Sequence, residues 1–386
     1  MAKATGSRVE IGYKVETTPG TTPVPIDSGW SAVRKNSESI KGMSDVIESG
    51  EIRSDRQNAS DIQGNKNVGG TVETELSDLS HDELMSSALF NDWVSADSGA
   101  LSLNAVATGN TIDRATGSFV TDGFVVGQWV QVAGFVTNPT NNGFFKITAV
   151  AALTLTLAGV TLIDETGSGD EQVSGQYVKG GTAAQYISIR KAYRDIDKAV
   201  IFDGCLVSDM SMSIAPNSVI GLSFTINGQD ETLLTGTGVT GAGTAATDVA
   251  TSNPMDSFSG QALLDDVENN NLTNVTLNIA NNIDDLFVIG NRFKIDQAPG
   301  RQDVSGDLGF YFEDLSEYEA SVNHTGKSID VTSSDGTNYF GVSMPRVFYD
   351  LETPSASGEG AMPQTGPFRA RYDSTTDATI ILSRST

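Results

Sequence analysis

The stretch from residue 37 to residue 76 restricts what this chain can fold into more than any other. Its second part, Val68-Gly69-Gly70-Thr71-Val72-Glu73-Thr74-Glu75-Leu76, alternates strictly. An extended backbone puts Val68, Val72, Thr74 and Leu76 on one face and Thr71, Glu73 and Glu75 on the other. One face suits a core; the other is acidic. The first part, residues 37–47, sets Ile40, Met43, Val46 and Ile47 among small and polar residues, as a strand with one wet side does. Residues 48–67 between them form a hydrophilic connection of mixed charge. It exceeds the roughly 12–15 residues beyond which loops tend to be functional or disordered.

The same design recurs further on. Residues 206–214 place Leu206, Met210, Met212 and Ile214 opposite Asp209, Ser211 and Ser213, and residues 221–228 place Leu222, Phe224 and Ile226 opposite Ser223, Thr225 and Asn227. Asn217 is the turn residue between them. Two such hairpins predict a four-stranded sheet with one apolar and one small, polar, acidic face, and no Lys or Arg among the polar-face residues assigned. Further strands are expected at 9–15, 186–193, 272–283, 304–312, 329–332, 339–348 and 378–383. Ser80 and Glu83 have the spacing of a capping box leading into a short helix with Leu84, Met85, Ala88 and Leu89 on one face. A second short helix is expected at 315–322. Pro19, Pro23 and Pro25 favour an extended arm, and so do Pro354, Gly358, Gly360, Pro363, Gly366 and Pro367 near the other end.

A chain of 386 residues is long for one domain. Between about 105 and 175 the texture shifts to Gly, Thr, Val and Ala, with turn signals at Asp122-Gly123, Asn141-Asn142-Gly143 and Gly167-Ser168-Gly169 and strand candidates at 124–133, 144–150 and 153–158. This predicts a small all-β domain, 105–175, inserted into a discontinuous core of 1–104 and 176–386. With 49 acids against 24 bases the net charge is −25, so the chain has no electrostatic means of holding a polyanion tightly. Acidity that merely keeps an abundant protein soluble remains an open alternative. Cys205 is alone in an apolar run, which rules out an intrachain disulfide and suggests a buried thiol. The start of the chain has no apolar secretory segment and no run of about 18 apolar residues occurs, so synthesis and folding in a cytoplasm are expected.

Signs of catalysis are weak. Gly236-Thr237-Gly238-Val239-Thr240-Gly241 matches the dinucleotide fingerprint by letter, but no helix pattern follows, so a loop is expected within 235–248. His81 and His324 are too few for a metal site or a triad. Asp164-Glu165, Asp265-Asp266 and Asp284-Asp285 read as solvated turn acids, and no cofactor, metal or catalytic residue is assigned.

One family likeness is specific. Glu51-Ile52-Arg53-Ser54-Asp55-Arg56-Gln57, then Gly64-Asn65 and Val68-Gly69-Gly70, then 82–89 ending at Trp93, resemble the tail tube (major tail) proteins of long-tailed, non-contractile, siphovirus-type bacteriophages. The opening Glu16-Thr17-Thr18-Pro19-Gly20-Thr21-Thr22-Pro23 belongs to the same pattern, and the likeness is best over the first hundred residues. It implies a mainly β fold: a sandwich or barrel core with a short helix, whose strands pair between subunits. It further implies hexameric rings stacked into a hollow tube in the virion tail, assembled in the bacterial host cytoplasm, with an acidic lumen that conducts DNA during ejection. Lumen-facing residues would be Glu73, Glu75, Asp209, Ser211, Ser213, Ser223, Thr225 and Asn227. Glu51, Arg53, Asp55, Arg56 and Asp61 would meet the next ring. Partners would be the chain itself, the tape measure protein and then DNA in the lumen, and tail terminator and distal tail proteins at the ends, with the insert decorating the outside and no membrane insertion. Two rival readings stay open, an acidic all-β adhesin and a carbohydrate-active enzyme whose carboxylate pair the sequence does not identify.

Overall fold

Val68, Val72, Thr74 and Leu76 are buried and Glu73 is exposed, as the alternation requires. The computed structural model describes residues 3–386 apart from 56, 59, 249–251 and 354–359, so Arg56, Pro354 and Gly358 lie outside the described residues. Strand accounts for 48% of the chain and helix for 6%, which makes the fold mainly β.

Ten strands carry the architecture. Five come first: β1 (Lys41–Ile47), β2 (Ile62–Glu75), β3 (Ile187–Tyr193), β4 (Lys198–Ile214) and β5 (Gly221–Gly228). Five follow: β6 (Leu272–Ala280), β7 (Asp303–Tyr311), β8 (Lys327–Ser334), β9 (Tyr339–Tyr349) and β10 (Pro363–Ala370). Antiparallel pairing gives the order β1-β2-β5-β4-β6-β7-β10-β9. The expected four-stranded sheet is its first half, with Glu73 opposite Ser223 and Ser223 opposite Ser211. A four-stranded sheet alone would have two free edges, and here one of them is paired. β4 pairs onward with β6 from Asp209–Ala280 to Ile214–Val275, because Val275, Leu277 and Ile279 alternate inward and extend the same apolar face. β4 is long because its first half pairs with β3 on the side where its second half pairs with β6.

The apolar faces of both halves enclose one large cluster together with α1 (Asp82–Leu89), whose Leu84, Met85, Ala88 and Leu89 are all buried. Full burial of Leu84, Met85 and Leu89 contributes about 1.5–3 kcal/mol each. The expected capping box does not form. His81 is the N-cap and makes no side-chain cap, Ser80 is engaged by Ser77 (Oγ–Oγ 2.8 Å), and Glu83 accepts from Gln185 instead. α2 (Ser316–Val322) lies where expected.

Other departures have local causes. β2 begins at Ile62 and pairs with Ile47, so the loop is 48–61 rather than 48–67. Residues 363–370, read from their prolines as an extended arm, form β10, with Gln364, Gly366, Phe368 and Ala370 inward and Pro363 and Pro367 on the exposed side. The expected strand at 124–133 is trimmed to Trp129–Ala133 by the turns before it, and the last strand spans Ile381–Arg384 rather than 378–383. A second apolar cluster draws only on residues between Ala96 and Val173. It is tied to β8 by Lys146, whose Nζ lies 2.6 Å from the Asp330 carboxylate and 2.6 Å from that of Asp266.

Candidate functional site

The strand periodicity of β2, β5 and β4 gathers Glu73, Glu75, Asp209, Ser211, Ser213, Ser223, Thr225 and Asn227 on the face turned away from the core. Glu73, Ser211 and Ser213 are exposed and the other five are half-buried. Ser37 Oγ donates to Glu73 (2.9 Å) and Asn36 Nδ2 to Glu75 (3.2 Å). These neutral donors fix the carboxylates without cancelling their charge. Among the described residues none of Glu73, Glu75 and Asp209 sits in an ion pair.

The register carries the same face across the rest of the sheet. Ser211 lies opposite Asn278, Asn278 opposite Ser305 and Ser305 opposite Arg369, with Thr276 and Asp307 in the next row. The wider face is not free of bases, since Arg369 and Lys41 share it, Lys41 standing opposite Gly69 on β1. Asn227 has a further task. Its amide donates to Asp285 (2.9 Å) and accepts from the buried Lys294, and Gln297 donates to its backbone carbonyl (3.1 Å). These bonds anchor the hairpin of Asp284–Leu286 and Asp296–Ala298 across one end of the sheet.

At that end the β1–β2 arm projects. Glu51, Arg53, Asp55 and Asp61 are all exposed on it. Arg53 and Asp55 pair with each other at 2.7 Å, a solvated contact that solvent and salt screen. Arg56 is outside the described residues. The arm also exposes Met43, Val46, Ile47, Ile52 and Ile62, with Ile52 at 98%. The loop between β6 and β7 leans on it: Lys66 N–H donates to Arg292 O (2.8 Å) and Arg292 to Gln63 Oε1 (3.0 Å). That loop adds exposed Phe287, Val288, Ile289 and Ile295. Clustered exposed apolar side chains of this kind mark interaction surfaces.

Sequence motifs outside this region have local roles. The Gly236–Gly241 loop closes on Asp197, whose carboxylate accepts from Gly238 N–H (2.7 Å) and Ala242 N–H (3.0 Å); it contains one three-residue helical turn, Gly238–Thr240, and leads into no α-helix. Burial pushes the Cys205 thiol well above its ordinary pKa.

A family model described as phage tail tube protein matches residues 6–370. The chain belongs to the phage tail tube family. A search of curated proteins found no match. Tail tube proteins are structural parts of the virion tail and assemble with copies of themselves into a tube. No helix among the described residues is long and apolar enough to cross a membrane. In this tail tube protein the polar face is legible in the alternation, whereas the apolar side of the arm and of its neighbour, the 281–302 loop, emerges only in the structure. The signal was present as Leu286-Phe287-Val288-Ile289, an apolar run bounded by Asp285 and Gly290.

Proposed function

We propose that copies of this chain close into rings in which six four-stranded sheets make one continuous barrel. The rings stack into the hollow tail of a long-tailed, non-contractile phage. The face of Glu73, Glu75, Asp209, Ser211, Ser213, Ser223, Thr225 and Asn227 lines the channel, first around a tape measure protein and then around departing DNA. Carboxylates free of ion pairs among the described residues, on the face of a sheet whose opposite face is core, carry this reading. DNA bears one charge per about 1.7 Å of axis, and a cationic wall would grip it by releasing counterions. Carboxylates repel it, over about 8 Å at physiological salt, and the short neutral hydroxyls between them add no positive charge to hold it. The role is structural rather than catalytic.

The arm bearing Glu51, Arg53, Asp55 and Asp61 meets the next ring, with its apolar tip covered there. Residues 105–175 form an outward decoration, supported by an apolar cluster that they share only with Ala96, Leu101 and Leu103 and by the Lys146 tie to β8. Terminator and distal tail proteins cap the ends of the tube, which is assembled in the host cytoplasm. The test is the double variant Glu73→Lys with Glu75→Lys. Tubes should still form, since both side chains lie off the core, while DNA ejection slows, most at low salt. Ejection at the wild-type rate would remove the channel assignment.

A further inference from the structure

The two halves of the sheet follow one plan. β1, a long loop, β2, α1, β3, β4 and β5 are matched in order by β6, a long loop, β7, α2, β8, β9 and β10. The order across the sheet repeats as well, β1-β2-β5-β4 and then β6-β7-β10-β9. So does the register. β3 and β4 pair Arg190 with Ile201 and Ile189 with Phe202, then slip at a bulge before Ile187 meets Cys205. β8 and β9 pair Asp330 with Ser343 and Ile329 with Met344, then slip in the same place before Lys327 meets Val347. Val68 opposite Gly228 matches Val304 opposite Ala370.

Side-chain detail follows the register. Ser39 Oγ accepts from Thr71 N–H at 2.9 Å, and Thr276 Oγ1 accepts from Asp307 N–H at 3.0 Å. A Cβ on Gly70 would strike the Ser39 carbonyl, and one on Gly306 the Thr276 carbonyl, so both positions exclude a side chain for the same reason. The residues that remain alike are those this packing demands: Gly64, Val68 and Gly70 recur at identical spacing as Gly300, Val304 and Gly306.

We infer that the chain is a tandem repeat of one sheet-forming unit, and that three chains, not six, supply the six sheets of a ring. The β4–β6 junction inside one chain is then repeated between chains, the segment after β9 of one copy pairing with β1 of the next. This rests on the tube reading above. Among the described residues β1 pairs only with β2, leaving its outer edge for association. The segment after β9 stays in register, because Asp350 N–H donates to Pro367 O (2.9 Å) where Asp209 stands opposite Thr225 in the first unit. The bulge between Val207 and Asp209 has no counterpart there. Asp209, Met210 and Ser211 therefore correspond to Asp350, Leu351 and Glu352, and Ala280, Ile279 and Asn278 to Met43, Gly42 and Lys41. Leu351 and Gly42 would meet on the core side. Glu352 and Lys41, both exposed in the single chain, would pair on the channel side where the internal junction has Ser211 and Asn278. Head-to-tail joining of this kind closes into a three-fold ring.

Two measurements test this. Each chain has one insert but two sheets, so wild-type tubes imaged by electron cryo-microscopy should show six lining sheets and three insert densities per ring. Six inserts per ring would overturn the three-chain ring, whereas wild-type protein that forms no tube at all would overturn the tube reading instead. Lys41→Glu alone should lower tube yield roughly 5-fold by placing like charges across the junction, and adding Glu352→Lys should restore it. Lys41→Glu without effect, or no rescue by the second change, would overturn the β9–β1 junction.

Discussion

His81 lies beneath the acidic face with Nε2 2.9 Å from Thr74 Oγ1. Thr74 donates its own proton to Arg34 O (2.6 Å), so His81 Nε2 carries hydrogen and donates. Burial pushes the pKa of His81 down to about 4, against the pull of the Glu75 carbonyl. The unfolded value is about 6.5, so this group's contribution to stability is complete above that pH and drains away as pH falls toward 4. Asp82, its neighbour in sequence, behaves in the opposite sense. Burial raises it to about 6 despite Arg384, so its contribution is complete below about 3.8 and is lost as pH rises through 6. The two slopes oppose each other between pH 4 and 6. Replacing His81 with Gln removes one of them. The stability gap between wild type and His81→Gln, measured by urea denaturation, should narrow by about 2 kcal/mol between pH 6.5 and pH 5. A gap independent of pH would mean that His81 titrates normally.

The β1–β2 arm is held by its strand pairing up to Ile47 and Ile62, and none of the described residues of the tip beyond belongs to either core cluster. Deleting residues 53–60 should therefore leave the melting transition of the subunit unchanged and still permit ring closure, while electron microscopy shows no stacked tubes. Normal tubes would end the stacking assignment. The elements that sequence made legible are those whose pattern is complete within the strand, such as β5, whose bounds match the alternation residue for residue. β10 was hidden because Pro363 and Pro367 argue locally against a strand, although both occupy its exposed side. The β4–β6 pairing was hidden for a different reason. Which strand adjoins which is decided by tertiary packing of alternating faces, and several strands here offer the same face. The repeat was masked because only positions such as Gly70 and Gly306, where backbone meets backbone, resist change. All eight proposed channel residues were placed on one face by period alone. Lys41 and Arg369 were missed because neither lies in the runs whose alternation was cleanest.

At the scale of the whole molecule, charge sets the conditions under which subunits meet. Each chain carries −25, so a three-chain ring carries three times that and two rings approach against strong repulsion. Within the proposed ring the joining forces are mainly strand hydrogen bonds, which salt leaves largely untouched, with Lys41 and Glu352 the one charge pair at each junction between chains. Between rings the proposed contact is the exposed arm, whose one described ion pair is weak, while its Val46, Ile47, Ile52 and Ile62 offer apolar area. Screening should therefore favour stacking, because shortening the Debye length from about 30 Å at 0.01 M to about 10 Å at 0.1 M removes repulsion faster than it removes attraction. Purified subunits are expected to remain as monomers or single rings at about 0.01 M salt and to elongate into tubes as salt rises, followed by light scattering and microscopy. Tubes that grow best at the lowest salt would show that ion pairs rather than apolar tips hold the rings together, and would move the stacking contact from the isoleucines of the arm to Glu51, Arg53, Asp55 and Asp61.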